Sequence, residues 1–149
     1  MKKRIMLVGA RQSGKSTLAN WLNRTDAAIK NTQDVIYGCR TIDTPGAYLE
    51  NARMYKYLIA TAQAASHVLV LVDQSRPEEV YSPGFVRIFH CPVIGVITKC
   101  DTHQENCLKC VQQLQRSGVT APVFRISLKT GTGLTSLETY LKSHAKGSE

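Results

Sequence analysis

No stretch of this 149-residue sequence is apolar for long enough to cross a membrane. The longest apolar runs, residues 68–72 and 93–97, are far shorter than the roughly 20 residues that a membrane-spanning helix needs. The basic segment at residues 2–4 precedes only a strand-length apolar run, so we expect no secretory signal. With five cysteines and no such signal, the sequence predicts a reducing, cytoplasmic location in which the thiols stay free.

Acidic residues are also few. Eleven Asp and Glu stand against nineteen Lys and Arg, which gives a formal net charge of +8. Such an excess of positive charge is compatible with binding to nucleic acid, to an acidic protein surface or to a small polyanionic ligand. The basic residues are scattered along the chain and no RNA-binding signature accompanies them, so we predict no specific nucleic-acid partner.

Internal repeats and low-complexity linkers are absent as well. Hydrophobic residues make up 43% and charged residues 20% of the chain, which is ordinary for a globular protein. This length and composition predict a single domain, residues 1–149, with a substantial core. Strand-like and helix-like segments alternate, which predicts an α/β fold with a mostly parallel, twisted sheet between helical layers.

The alternation can be assigned along the chain. The chain begins with a strand and a helix that ends near Asn23. In the rest of the chain, apolar patterns and the Gly and Pro residues between them predict further strands and helices. His67 lies at the start of a buried strand, where we expect a structural or solvated side chain and not a catalyst. We predict strands at 34–37, 40–43, 67–73, 92–98 and 122–127, helices at 49–63 and 104–116 and from Leu134, a broken helix within 76–89, and a frayed tail from Lys142.

Residues 9–16 match the phosphate-binding pattern G-x-x-x-x-G-K-[ST] between a strand and a helix. The two glycines permit backbone conformations in which consecutive N–H groups point at an anion, and the helix adds its positive end. Lys15 would reach the β- and γ-phosphates, and the Ser16 hydroxyl would bind Mg²⁺. The predicted phosphate-binding residues are Gly9, Ala10, Arg11, Gln12, Ser13, Gly14, Lys15, Ser16 and Thr17.

A second nucleotide signature, D-T-P-G, follows the strand predicted at 40–43. Asp43 would hold Mg²⁺ through water, and Gly46 would present its N–H to the γ-phosphate. Thr32 lies sixteen residues after Ser16, where a switch loop would place a hydroxyl beside the γ-phosphate and the metal. We therefore predict Ser16, Thr32 and Asp43 as metal ligands, and Lys15, Thr32 and Gly46 at the reacting phosphate.

A third signature, T-K-x-D, lies at the end of the strand predicted at 92–98 and predicts which nucleotide base is bound. The Asp101 carboxylate can accept from N1–H and N2–H₂ of guanine, a donor pair that adenine lacks. The stem of Lys99 would lie along the base. Thr98 stands where Asn is commoner, and we expect the shorter side chain to lose one contact. A fourth, weaker signature, Ser127-Leu128-Lys129, would offer backbone N–H groups to the guanine O6.

Cys100, His103, Cys107 and Cys110 fall within eleven residues, a spacing that could suggest zinc. The two later cysteines, however, share a helical apolar stripe that ends at Leu114. We therefore prefer core packing for them over a metal site.

With four signatures in order, the chain resembles a small Ras-like GTPase of the TRAFAC type. More specifically, it resembles the EutP/PduV family of P-loop proteins linked to bacterial ethanolamine- and propanediol-utilising microcompartments, with the propanediol-type branch nearer. The resemblance implies a three-layer P-loop NTPase fold with a shortened switch region. It is carried by K-R-I-M-L-V-G at 3–9, K-N-T-Q at 30–33, T-I-D-T-P-G-A-Y-L-E-N at 41–51, S-P-G-F at 82–85 and P-V-I-G-V-I-T-K at 92–99.

The resemblance implies an accessory protein of a microcompartment operon that binds GTP or GDP with Mg²⁺ and contacts a shell or enzyme protein. The chain departs from the family at Ala47, where relatives often have Glu and Ras-like proteins have Gln, so we expect slow GTP hydrolysis. One alternative is a small-molecule kinase, since acetate kinase activity has been proposed for the ethanolamine branch; Arg11 is then the candidate cation beside the γ-phosphate. Another is a docking module with vestigial nucleotide binding.

Overall fold

The computed structural model describes residues 3–23, 36–37, 40–120 and 122–145. Within these ranges the chain forms a single sheet of six strands together with four α-helices and several short 3₁₀ turns. The strands are β1 (Arg4–Val8), β2 (Ile36–Tyr37), β3 (Thr41–Asp43), β4 (Ala65–Asp73), β5 (Val93–Thr98) and β6 (Val123–Arg125). The helices are α1 (Lys15–Asn23), α2 (Tyr55–Ala62), α3 (Cys107–Ser117) and α4 (Leu134–Ala145).

The sheet has the order β2-β3-β1-β4-β5-β6, and all neighbours pair in parallel except β2, which pairs antiparallel with β3 at one edge. The central strands β1 and β4 are almost continuous apolar runs because helices cover both of their faces. This confirms the predicted α/β class with a mostly parallel sheet.

Two apolar clusters, one on each side of the sheet, form the core. Leu58 of α2 and Leu114 of α3 belong to one cluster, whereas Leu18 of α1 and Leu137 of α4 belong to the other. Successive strand residues alternate between the clusters, as Met6 and Leu7 do. The result is three layers, with the sheet in the middle.

The topology brings the sequence signatures together. Because the carboxyl ends of parallel strands meet at one edge of a sheet, the loops after β1, β3, β5 and β6 lie at the same edge. Strands β1 and β3 are direct neighbours, with Leu7 opposite Asp43. The phosphate-binding motif and the D-T-P-G motif are therefore side by side.

The predicted helix at 49–63 is wrong in its first six residues. Residues Gly46–Leu49 and Ala52–Met54 form separate 3₁₀ turns, and α2 begins only at Tyr55. The physical reason is Asn51, which has an extended backbone (φ −144°) and accepts a hydrogen bond from the Arg53 N–H at 2.9 Å. This side-chain bond begins a new turn and interrupts a continuous helix.

The last helix is longer than predicted. Fraying was expected from Lys142, but α4 continues to Ala145. Burial of Leu141, packing of Tyr140 on Phe124 with ring centres 5.3 Å apart, and a Lys142–Glu138 ion pair at 3.8 Å all hold its final turns. Among the described helices, none is both long enough and apolar enough to cross a bilayer.

Candidate functional site

The loop between β1 and α1 forms a tight turn that is closed by hydrogen bonds within the loop. Gln12 and Gly14 both have positive φ angles, 62° and 98°, and the Ser13 N–H donates to the Ala10 carbonyl at 3.1 Å. Lys15 bends back over the loop, where its ammonium donates to the Ala10 carbonyl at 3.1 Å. The loop therefore has the form of a phosphate-binding nest.

Two glycines leave no room for a side chain, one beside the Ser13 hydroxyl and one beside the Arg11 backbone. A Cβ at Gly9 would lie 2.6 Å from the Ser13 Oγ, and one at Gly46 would lie 2.6 Å from the Arg11 nitrogen. The Ser13 hydroxyl is buried and has no hydrogen-bond partner among the described residues. The close packing at these glycines and this unsatisfied group fit a loop that receives an anionic, hydrogen-bonding ligand.

The charge of Lys15 is only partly balanced within the protein. Burial lowers the pKa of Lys15, the Asp43 carboxylate opposes that effect by raising it, and the Arg11 guanidinium lowers it further. The net shift is downward. A buried ammonium of this kind favours an anionic ligand, because added negative charge stabilises its protonated form.

Ser16 and Asp43 are 27 residues apart in sequence, yet the Ser16 hydroxyl donates to Asp43 Oδ2 at 2.8 Å. The segment that follows Asp43 is attached to β1 by Thr44, whose hydroxyl donates to the Leu7 carbonyl at 2.7 Å. A hydroxyl and a carboxylate side by side form a hard-oxygen donor set that fits Mg²⁺. Two of the three predicted metal ligands are thus adjacent, and the third, Thr32, lies outside the described residues.

The T-K-x-D segment is joined to the phosphate-binding loop by two side chains. The Thr98 hydroxyl donates to the Ser13 carbonyl at 2.7 Å and approaches the Val72 carbonyl at 3.3 Å. Lys99, which has a positive φ of 58°, donates its ammonium to the Gln12 carbonyl at 3.4 Å. Thr98 therefore makes the link to the neighbouring loop at a position where we expected its shorter side chain to lose a contact.

Asp101 is exposed and is oriented by Ser127. The Ser127 hydroxyl donates to Asp101 Oδ1 at 2.8 Å and accepts from the Thr130 N–H at 3.1 Å. The Ser127 N–H itself donates to the Thr132 carbonyl at 3.0 Å. In this conformation Ser127 acts through its hydroxyl, and its amide is not available for the predicted contact with a guanine O6. Leu128 and Lys129 remain the predicted amide donors.

Asp73, the last residue of β4, also belongs to this site and was not predicted from the sequence. Its carboxylate accepts from the Ser75 N–H at 2.8 Å, from the Ser75 hydroxyl at 2.6 Å and from the Lys99 ammonium at 2.7 Å. Burial alone would raise the pKa of Asp73, but the hydrogen bonds from Lys99 and Ser75 outweigh it and lower the pKa. A carboxylate at the end of a buried strand between two motif-bearing strands was the signal that could have identified it.

A cavity of about 410 Å³ lies beside the phosphate-binding loop. It extends from that loop and Gly46 to the end of β4 and the residues after it. Its charged lining residues form three ion pairs, Arg11–Glu50 at 3.7 Å, Arg76–Glu78 at 3.4 Å and Lys99–Asp73 at 2.7 Å.

The cysteine-rich segment of α3 contributes to the core. Cys110 and Leu114 are fully buried, and Cys107 is half-buried. Burial, followed by the proximity of Cys107 and Asp73, raises the pKa of the Cys110 thiol to about 11. No cluster of three or more potential metal-binding His, Cys, Asp or Glu side chains occurs among the described residues. His67 is buried in β4, in keeping with a structural role.

Comparison with solved structures supports the same fold. The elongation factor SelB of Methanococcus maripaludis, in complex with the GTP analogue GppNHp, superposes with a TM-score of 0.69 at 19% identity over 98% of this chain and 34% of its own. Era of Aquifex aeolicus, bound to GDP·AlF₄⁻, superposes with a TM-score of 0.64 at 25% identity over 95% of this chain and 57% of its own. The chain has the P-loop GTPase fold and spans about a third to a little over half of these proteins.

Comparison by sequence identifies the family. The propanediol utilization protein PduV of Citrobacter freundii is 33% identical over 95% of this chain and 94% of its own length. A protein named probable acetate kinase EutP, from Escherichia coli K12, is 30% identical over 99% of this chain and 94% of its own length. The family model described as "Ethanolamine utilisation - propanediol utilisation" matches residues 2–143. This chain therefore belongs to the PduV–EutP family of ethanolamine- and propanediol-utilisation proteins.

Proposed function

We propose that this protein binds GTP and GDP with Mg²⁺, hydrolyses GTP slowly, and acts as a cytoplasmic switch or assembly accessory of a bacterial metabolic microcompartment. The observation that carries the proposal is the convergence of Lys15, Ser16, Asp43 and Gly46 around one loop, to which Thr98 and Lys99 also bind. These residues come from three separate segments of the chain. Their convergence supports a single site for phosphate and base.

Each residue has a chemical role in this proposal. The N–H groups of the loop after β1 and the Lys15 ammonium would bind the β- and γ-phosphates. Ser16 and Asp43 would hold Mg²⁺, which when bound neutralises negative charge on the phosphate oxygens. Asp101, held by Ser127, would select guanine. The GDP complex of Era, a structure with 25% identity, supports guanine as the base.

Slow hydrolysis follows from the residue after Gly46. Ala47 lies in the 3₁₀ turn Gly46–Leu49 and offers only a methyl group. It can neither orient nor deprotonate an attacking water, a role that a polar side chain fills in efficient GTPases. Slow turnover suits a protein that signals its nucleotide state to a shell or enzyme partner.

Isothermal titration with GTP, GDP and ATP, each with and without Mg²⁺, tests the proposal directly. We expect both guanine nucleotides to bind, with GTP binding strengthened by Mg²⁺. Failure of the wild-type protein to bind any of the three would reject the proposal and favour a docking module with vestigial nucleotide binding.

The cavity favours one second candidate, phosphoryl transfer from ATP to a small carboxylate such as acetate. Arg11 and Arg76 both line this cavity beside the phosphate-binding loop, where a carboxylate acceptor would need cations. The EutP relative that is named a probable acetate kinase belongs to the same family. Incubation with ATP, Mg²⁺ and acetate, followed by an assay for acetyl phosphate, separates this candidate from a GTPase.

A further inference from the structure

Arg11 is the third residue of the phosphate-binding motif, and its long side chain points across the loop to the residues after β3. Its backbone nitrogen and its Cγ lie against Gly46, within 2.6 and 2.9 Å of where a Cβ would be. Its Nε lies 3.7 Å from Glu50 Oε1. The Arg11–Glu50 pair therefore joins the phosphate-binding loop to residues 46–50, the segment that carries the D-T-P-G glycine.

The pair is placed where it can open easily. The Arg11 and Glu50 side chains are 62% and 63% exposed, and exposed ion pairs of this kind contribute little stability in water. The other two cations of the cavity are bound differently. Lys99 is held at 2.7 Å by the buried Asp73, and Arg76 pairs with Glu78 two residues along the chain. Of the cavity's described ion pairs, Arg11–Glu50 is the one that joins the phosphate-binding loop to residues 46–50.

Arg11 is also close to the phosphate subsite. Its guanidinium lowers the pKa of Lys15, because the two positive charges are close enough to repel each other. Gly46, the residue proposed to meet the γ-phosphate, contacts Arg11 directly. A terminal phosphate carries up to two negative charges and three acceptor oxygens, whereas Glu50 offers one charge and two oxygens.

We infer that Arg11 exchanges Glu50 for the terminal phosphate of a bound nucleoside triphosphate, so that this ion pair distinguishes the triphosphate from the diphosphate. With a diphosphate, the pair stays closed and residues 46–50 stay attached to the phosphate-binding loop. With a triphosphate, Glu50 is released from Arg11, while the Gly46 N–H meets the γ-phosphate. This inference rests on the proposed function, since it assigns the regulation of the same site.

The test compares affinities for GDP and for a non-hydrolysable GTP analogue by isothermal titration. Arg11→Ala should weaken binding of the analogue about tenfold, because a charge-assisted contact to phosphate is lost, and should change GDP affinity less than about twofold. Glu50→Gln should tighten analogue binding about two- to threefold, because the competing carboxylate is gone, again with GDP unchanged.

Arg116→Ala is a matched control. Arg116 lies on α3 and forms another exposed ion pair, with Glu79 at 3.0 Å. It should leave both affinities unchanged. An Arg11→Ala variant that loses affinity for both nucleotides equally, or for neither, would overturn the inference while the proposed function stands. Absence of binding by the wild type to either nucleotide would overturn both.

Discussion

Asp101→Asn is the substitution that most directly tests the base preference. Asp101 is exposed, and the Ser127 hydroxyl holds its Oδ1 at 2.8 Å. The proposed contact places the carboxylate opposite two donors of guanine, where adenine presents the N1 acceptor instead. An unsatisfied or mismatched polar group loses roughly 1–3 kcal/mol, and the exposure of Asp101 puts each loss near the lower end. Two such losses predict a GTP preference over ATP of about a hundredfold.

The assay is isothermal titration of wild type and variant with GTP, ATP and XTP. The side-chain amide that Asp101→Asn introduces can donate to the C2 oxygen of xanthine, so the variant should bind GTP more weakly and XTP more tightly. Ser127→Ala is the companion variant, because it removes the hydrogen bond that orients the carboxylate but leaves its charge. It should weaken GTP binding by about fivefold, a typical value for one hydrogen bond, and keep the preference over ATP.

Equal binding of GTP and ATP by the wild type, together with an Asp101→Asn variant that changes neither, would refute the reasoning. The segment after β5 would then be an ordinary connection between a strand and a helix, and the kinase candidate would become the better one. Loss of all nucleotide binding in Asp101→Asn is a different result. A far-ultraviolet circular dichroism spectrum of the variant would show whether it reflects a failure to fold.

Three further predictions concern phosphate binding, turnover and stability. Lys15→Ala should lower GTP affinity tenfold or more, about 1.5–3 kcal/mol for a charged hydrogen bond, and unchanged affinity by titration would contradict the proposed role of the loop. Single-turnover GTP hydrolysis without a partner should be slower than about 1 s⁻¹, at the low end of enzyme rates, and a faster rate would contradict the role given to Ala47. Because the pKa of Asp73 is lowered below 3.8, its stabilising effect is complete above that pH and is lost as the pH falls further. Urea unfolding should therefore show wild type losing more stability than Asp73→Asn below about pH 4, and parallel losses would contradict the Asp73–Lys99 interaction.

The contact between Ser16 and Asp43 was predictable from sequence, because Ser16 follows β1, Asp43 ends β3 and these two strands form a parallel pair. The motifs specify the chemistry of both residues. The start of α2 was not, since the apolar spacing continues through a segment in which the Asn51 side chain competes with helix formation. The roles of Thr98 and Asp73 were also missed. Their hydrogen-bond partners lie 85 and 26 residues away, and only the assembled sheet brings them into contact. Thr32 stays a prediction, because it lies outside the described residues.

The bond from Thr98 to the Ser13 carbonyl has a consequence for how a nucleotide would bind. It fixes the distance between the loop that would hold the phosphates and the loop that would hold the base. Once either end of a nucleotide is held, the other end meets its subsite at a high effective concentration instead of searching in solution. Guanosine alone and inorganic triphosphate alone should each bind feebly, and GTP should bind far more tightly than either fragment.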